Sequence, residues 1–188
     1  LAGHETTAIA LSFSLYLLAE NRDAEEKIRA EIETLKGRLP TADDVPKLTW
    51  TECVVKEAMR LYPPAWTLGR EALQDCEIGG FHIPKGAQLD LPQWVVHRDP
   101  RWHPEPERFL PERWLNDRPE MPRCAYFPFG DGPRICVGQG FAMMEAILVL
   151  ATVIQRCRFS LAMRRPLEIV PSITLRPKHG IQMRIERD

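Results

Sequence analysis

The chain has 188 residues, with 25 Lys+Arg against 26 Asp+Glu for a formal net charge of −1, and 44% of it is hydrophobic. This is the make-up of a globular domain large enough to bury its own core, and with no surplus of positive charge it carries no electrostatic footprint for nucleic acid or an anionic membrane. Five cysteines, at positions 53, 76, 124, 136 and 157, are an odd count without a C-x-x-C pair. Zinc-knuckle and dithiol motifs are excluded on that spacing, and a reducing, intracellular and cytoplasmic setting is expected.

The chain opens Leu1-Ala2-Gly3-His4, inside a helical pattern and without an initiator Met. A partial chain is therefore expected, and a membrane anchor ahead of it stays open. Residues 8–19 are apolar, but Glu5 stands where a signal sequence needs basic residues. The run is also shorter than the roughly 20 residues that cross a bilayer, so no membrane segment is expected here.

In chain order, residues 2–19 read as a largely buried helix ending at Glu20-Asn21-Arg22-Asp23. Residues 23–36 form an amphipathic helix with Ile28, Ile32 and Leu35 on one stripe, stopped by Gly37. Thr49 or Thr51 is placed to cap a third helix, which runs to Leu61 and is halted by Pro63-Pro64. The periodicity then changes. Residues 77–78, 81–83 and 88–91 read as small strands, with Gly79-Gly80 in a hairpin turn. Residues 92–133 hold many of the 17 prolines together with Trp94, Trp102, Phe109, Trp114, Phe127 and Phe129, which predicts an ordered meander with one or two helical turns. Residues 139–157 are apolar all round and predict a buried helix. Residues 159–185 alternate as short strands between prolines. The fold class is mainly α with small β-sheets (α+β).

The stretch that carries chemistry is Phe129-Gly130-Asp131-Gly132-Pro133-Arg134-Ile135-Cys136-Val137-Gly138-Gln139-Gly140, directly before the apolar helix. A cysteine at a helix N-terminus sits where amide groups and the helix dipole stabilise a thiolate, the form that acts as nucleophile or metal ligand. Glycines such as Gly130 and Gly138 let backbone or a flat cofactor approach closely. A structural cysteine in a glycine-rich turn is the competing reading, and it is the one adopted for the other four.

The pattern Phe-x-x-Gly-x-Arg-x-Cys-x-Gly resembles the haem-binding loop of the cytochrome P450 family. That resemblance implies Cys136 as the axial thiolate ligand of the haem iron, whose electron donation favours O–O cleavage. It further implies Arg134 against a haem propionate and Phe129 packed beside the sulfur. Ala2-Gly3-His4-Glu5-Thr6-Thr7 is similar to the family's oxygen-binding helix. There Ala2 and Gly3 leave a groove over the haem, the Thr6 hydroxyl hydrogen-bonds bound dioxygen, and Glu5 feeds protons through water. Glu57 and Arg60 resemble the family's E-x-x-R pair, buried and locked to a later arginine. Arg113 of Phe109-Leu110-Pro111-Glu112-Arg113-Trp114 fits that role better than Arg108. Arg70 resembles a second propionate arginine, with an edge-strand surface residue as the alternative. His97-Arg98-Asp99-Pro100 resembles a structural segment, and none of the five histidines reads as an iron ligand.

The resemblance covers residues 1–188 as the C-terminal portion of a single cytochrome P450 domain. It implies haem b (iron protoporphyrin IX), O2 as co-substrate, and monooxygenation of a small apolar organic substrate. The Ala-Gly-His-Glu-Thr-Thr string points to a fatty acid or other long chain, and electrons would come from NAD(P)H through a flavin or iron–sulfur redox partner. Substrate contacts are expected near Ala2, at Ala65-Trp66-Thr67-Leu68 and near Ser172-Ile173. Arg118, Arg123 and Arg134 could offer a docking face to an acidic partner. The rival readings are a haem-binding or structural module without turnover, and, ranked last, a hydrolase using Cys136 as nucleophile, for which no histidine base has a supporting motif.

Overall fold

The computed structural model describes residues 2–115 and 121–187. Helix α1 (Ala2–Glu20) buries Ile9, Ala10, Phe13, Leu17 and Leu18, but Gly3, His4, Glu5 and Ala8 are exposed, so only its later turns meet the expectation of a buried helix. Ser12 and Ser14 return their hydroxyls to the carbonyls of Ala8 and Ala10 at 2.7 and 2.8 Å. That bond is what admits a serine to a packed helix interior.

Helix α2 (Arg22–Glu33) turns Ile28 and Ile32 inward as expected and stops short of residue 36. The chain reverses there through Lys36 and Gly37, both at positive φ (53° and 80°), which no helix accommodates. Helix α3 (Thr49–Leu61) starts without a cap from its own threonines. The carboxylate of Glu31, on α2, instead accepts the amides of Trp50 and Thr51 at 2.7 and 3.0 Å and the Thr51 hydroxyl at 2.7 Å. A negative group at this end meets the positive pole of the helix dipole, and the same contact fixes α2 against α3.

Helix α5 (Gln139–Arg156) buries Ala146, Ile147, Leu150, Ala151 and Ile154 against Ala10, Leu18, Ile28, Val54 and Val55 of α1, α2 and α3. It is not buried all round: Phe141 is 66% and Val149 40% exposed. An apolar helix face can stay in solvent when no element packs on it, which hydropathy does not reveal.

Four two-stranded antiparallel sheets edge this body among the described residues. Strand β1 (Leu68–Glu71) pairs with β4 (Gln88–Leu91), placing Arg70 opposite Leu89. β2 (Cys76–Ile78) and β3 (Phe81–Ile83) flank the predicted Gly79-Gly80 turn, where both glycines have positive φ. β5 (Cys157–Leu161) pairs with β8 (Met183–Arg187), and β6 (Ile169–Pro171) with β7 (Leu175–Pro177). The meander holds one α-turn, α4 (Gln93–Val96), and single tight turns at Pro111–Trp114, Arg123–Ala125 and Gly132–Arg134. Among the described residues no helix is long and apolar enough to cross a membrane.

Glu57 and Arg60, both fully buried on α3, pair at 2.9 Å. Glu57 also accepts the Arg113 guanidinium at 3.2 Å, the Trp114 indole N–H at 2.9 Å and the Leu110 amide at 3.0 Å. Arg60 donates onward to the carbonyls of His97, Pro106 and Arg108. The arginine that closes on Glu57 is Arg113; Arg108 contributes only its carbonyl, with its side chain on Glu105 at the surface. Replacing Glu57 by Ala leaves two buried guanidinium groups uncompensated, and a loss of about 3–5 kcal/mol is expected from the midpoint of urea denaturation.

Candidate functional site

Cys136 lies in the loop between the Gly132–Arg134 turn and α5, and its thiol is exposed and unpaired. The loop is shaped by backbone bonds. The Cys136 amide donates to the Phe129 carbonyl at 2.9 Å, the Gly130 amide to Phe127, and the Ile135 amide to Gly132. Gly130 and Gly132 take positive φ of 76° and 71°. The Asp131 carboxylate accepts the Gly132 amide and the Arg123 guanidinium, each at 2.6 Å, and those two bonds hold its pKa below the usual carboxylate range.

Gly130 is the meeting point of two expected arginine segments. A Cβ there would come within 3.5 Å of Leu68 Cδ1 and 3.7 Å of the Arg134 carbonyl oxygen. Leu68 and Arg70 are two apart on β1 and so share a strand face, and Arg70 is thereby set on the strand that abuts the cysteine loop. Neither arginine faces a carboxylate among the described residues: Arg70 Nη1 reaches only the neighbouring Gly69 carbonyl, and Arg134 is exposed without a hydrogen bond. Phe129 is half-buried and packs on the main core. Around the thiol, Val137 is fully exposed and Ile135 about half exposed (49%). A soft thiol ligand, apolar surface beside it and two guanidinium groups lacking anions are the donor set that a flat apolar metal complex bearing two carboxylates requires. The residues present fit haem.

Cys53 differs in kind. It is buried on α3, and desolvation pushes its thiol up to about 11, the state of an inert core cysteine.

At the other end, Glu5 does not stand alone on α1. Its Oε1 accepts the hydroxyl of Thr174, at the β6–β7 turn, at 2.7 Å, with Arg176 at 3.9 Å. The Thr6 hydroxyl donates to the Gly3 carbonyl at 3.4 Å. The same hairpin joins the segment after the prolines: the Trp66 indole donates to the Ser172 carbonyl at 2.8 Å and the Leu175 amide to Pro64 at 2.9 Å. Two of the three expected substrate-contact regions, residues 65–68 and the hairpin near Ser172-Ile173, are thus joined, while the Ala2 side chain and Arg118 lie outside the described residues. Of the expected docking arginines, Arg123 is tied to Asp131. The segment 97–100 is structural, as expected, with Arg98 donating to the Leu61 carbonyl at the end of α3. The sequence reading missed Gln93 and Thr174, neither of which belongs to a motif of its own, and it gave Leu68 as a substrate contact without its place against Gly130.

The thiol is presented by glycine-rich backbone at the head of α5. The family model for cytochrome P450 matches residues 1–184, and the chain belongs to that family. It is 45% identical over 184 residues to a putative cytochrome P450 132 of Mycobacterium tuberculosis, covering 97% of this chain and 40% of the relative. It is also similar to the cyclooctatin synthase of Streptomyces melanosporofaciens (43% identical, 95% and 38% covered) and to mouse cytochrome P450 4V2 (38%, 98% and 36%). The chain thus spans about two-fifths of the length of these relatives.

Because Gly130 has a positive φ with neighbours on two sides, Gly130→Ala is expected to lower stability by about 1 kcal/mol or more. Chemical denaturation of the two proteins side by side checks this.

Proposed function

We propose that the protein carrying this chain is a haem-thiolate monooxygenase that inserts one atom of O2 into an apolar organic substrate and reduces the other to water. The observation that carries the reading is the exposed Cys136 thiol in a family haem loop, with Arg134 and Arg70 lacking anionic partners nearby. Haem, when bound, supplies the iron at which O2 is reduced. Cys136 would hold that iron through its thiolate, and glycine-spaced amides around the sulfur would moderate its basicity. Arg134 and Arg70 would bind the propionates, and Phe129, Gly130 and Gly138 would pack against the haem and sulfur with Ala2 on the oxygen side. Thr6 would hold a proton at its hydroxyl next to O2, and Glu5 would take protons from solvent and pass them on.

The half-exposed Glu5 suits exchange with water. Electrons would come from NAD(P)H through a flavin or iron–sulfur partner. The substrate would be a fatty acid or similar long chain, held between α1, the Trp66 segment and the β6–β7 hairpin. The relatives' names favour turnover over a silent haem-binding module, since one is a synthase. A hydrolase reading has no support, because the buried histidines near the loop, His97 and His103, are engaged with the Phe127 amide and Ala125 carbonyl.

Haem-loaded protein, reduced and exposed to CO, is expected to show the strongly red-shifted Soret band of thiolate ligation, and Cys136→Ser to abolish it. The same band in the serine variant would overturn the ligand assignment. Thr6→Ala is expected to divert reducing equivalents to hydrogen peroxide at the expense of hydroxylated product. An unchanged product-to-NAD(P)H ratio would remove Thr6 from the proton path.

A further inference from the structure

The cysteine loop is gripped at its entrance by two side chains from the single turn α4. Gln93 and His97 are one helical turn apart and both fully buried. They take hold of the two backbone groups of one residue: the Gln93 side-chain amide donates to the Phe127 carbonyl, and His97 Nε2 accepts the Phe127 amide at 3.0 Å. The His97 ring also lies edge-on to the Phe127 ring, with centroids 5.3 Å apart. Phe127 in turn accepts the Gly130 amide, and Phe129, two residues on, accepts the amide of Cys136. On its other side, the His97 carbonyl takes a 2.9 Å bond from Arg60. The buried ion pair on α3 is therefore joined to the thiol loop through one histidine.

We propose that Gln93 and His97 are positioning residues for Cys136, a two-point clamp that fixes the height and tilt of the cysteine loop relative to the helical body. This rests on the reading of Cys136 as the iron ligand. An acceptor is required at Nε2, so the neutral ring carries its proton on Nδ1, which is buried without a partner, as is Gln93 Oε1. Burial, reinforced by the charges of neighbouring His103, Arg60 and Arg98, lowers the His97 pKa to about 3 and keeps that acceptor available across the physiological range. Both atoms carry a desolvation cost among the described residues, so the clamp is not explained by a gain in stability from these two side chains.

The test uses full-length, haem-loaded protein with four variants. His97→Phe keeps a ring but removes the acceptor, Gln93→Leu removes the other point, and His97→Gln restores an acceptor near the Nε2 position. Leu150→Ala, in the main core and with no part in the clamp, serves as a control for general destabilisation. Two signals are read: hydrogen exchange of the Cys136 amide, which the clamp does not itself bond, and the split of the reduced CO complex between its thiolate-ligated and non-thiolate bands. His97→Phe and Gln93→Leu are expected to speed Cys136 exchange about tenfold, the effect of one lost buried hydrogen bond on a local opening equilibrium, and to shift the CO complex away from the thiolate band. His97→Gln should recover both, and Leu150→Ala should leave the band split unchanged. Wild-type exchange and spectrum in His97→Phe and Gln93→Leu would overturn the clamp, as would an equal shift in Leu150→Ala. Should His97→Phe not fold, Gln93→Leu decides alone. A wild-type protein without a thiolate band would instead overturn the ligand assignment, and the exchange measurement would still decide whether the clamp orders the loop.

Discussion

The buried carboxylate of Glu57 is the interaction on which the rest of the structure depends. A charge with no solvent contact must find donors within the protein, and Glu57 finds them on its own helix and in a stretch more than fifty residues later: Arg60, Leu110, Arg113 and Trp114. Among the described residues none of these segments is held by a large sheet, and the meander's own backbone bonds close only local turns. Its path is set by where those donors must be. Arg60 extends the constraint by gathering three meander carbonyls, so the network specifies a unique course for a chain that would otherwise have many.

From this anchor the order propagates to the thiol. The residue whose carbonyl receives Arg60 also holds Phe127 through its ring, and Phe127 begins the loop that ends at Cys136. The opposite flank of the loop rests on α5, whose inner face is part of the main core. The thiol, Arg134 and the apolar side chains of Ile135 and Val137 lie at the surface of the loop, while the groups that fix the loop are buried. Pre-organisation of this kind keeps a ligand at one geometry without spending binding energy on ordering it.

Much of the fold and the site could be read along the chain. The inward stripe of α2, the proline stop after α3, the Gly79-Gly80 turn and the cysteine between glycines depend on neighbours within a few residues, and local pattern carries that information. The choice of Arg113 over Arg108 was also available, because the longer string around it is contiguous. What could not be read were contacts between distant segments. Thr49 and Thr51 look like caps, yet Glu31 does the capping from eighteen or more residues away. Hydropathy places all of α5 inside, yet Phe141 stays in solvent. Glu5 reads as a free acid beside Thr6, yet it meets Thr174 at the far end of the chain.

The residues alone thus determined the family: a thiol at a helix head flanked by glycines, a helix with Glu5 and Thr6, and a carboxylate–guanidinium pair at i and i+3, all in the order that the family resemblance rests on. Only the tertiary structure decided how these pieces are held. Gln93 and His97 become a grip on the cysteine loop because α4 folds against Phe127, and the strand of Arg70 comes beside that loop because Leu68 meets Gly130. The reason is physical: backbone and turn preferences act over a few residues, whereas the partner of a buried polar group is whichever donor packing brings within about 3 Å, and no spacing in the sequence encodes that.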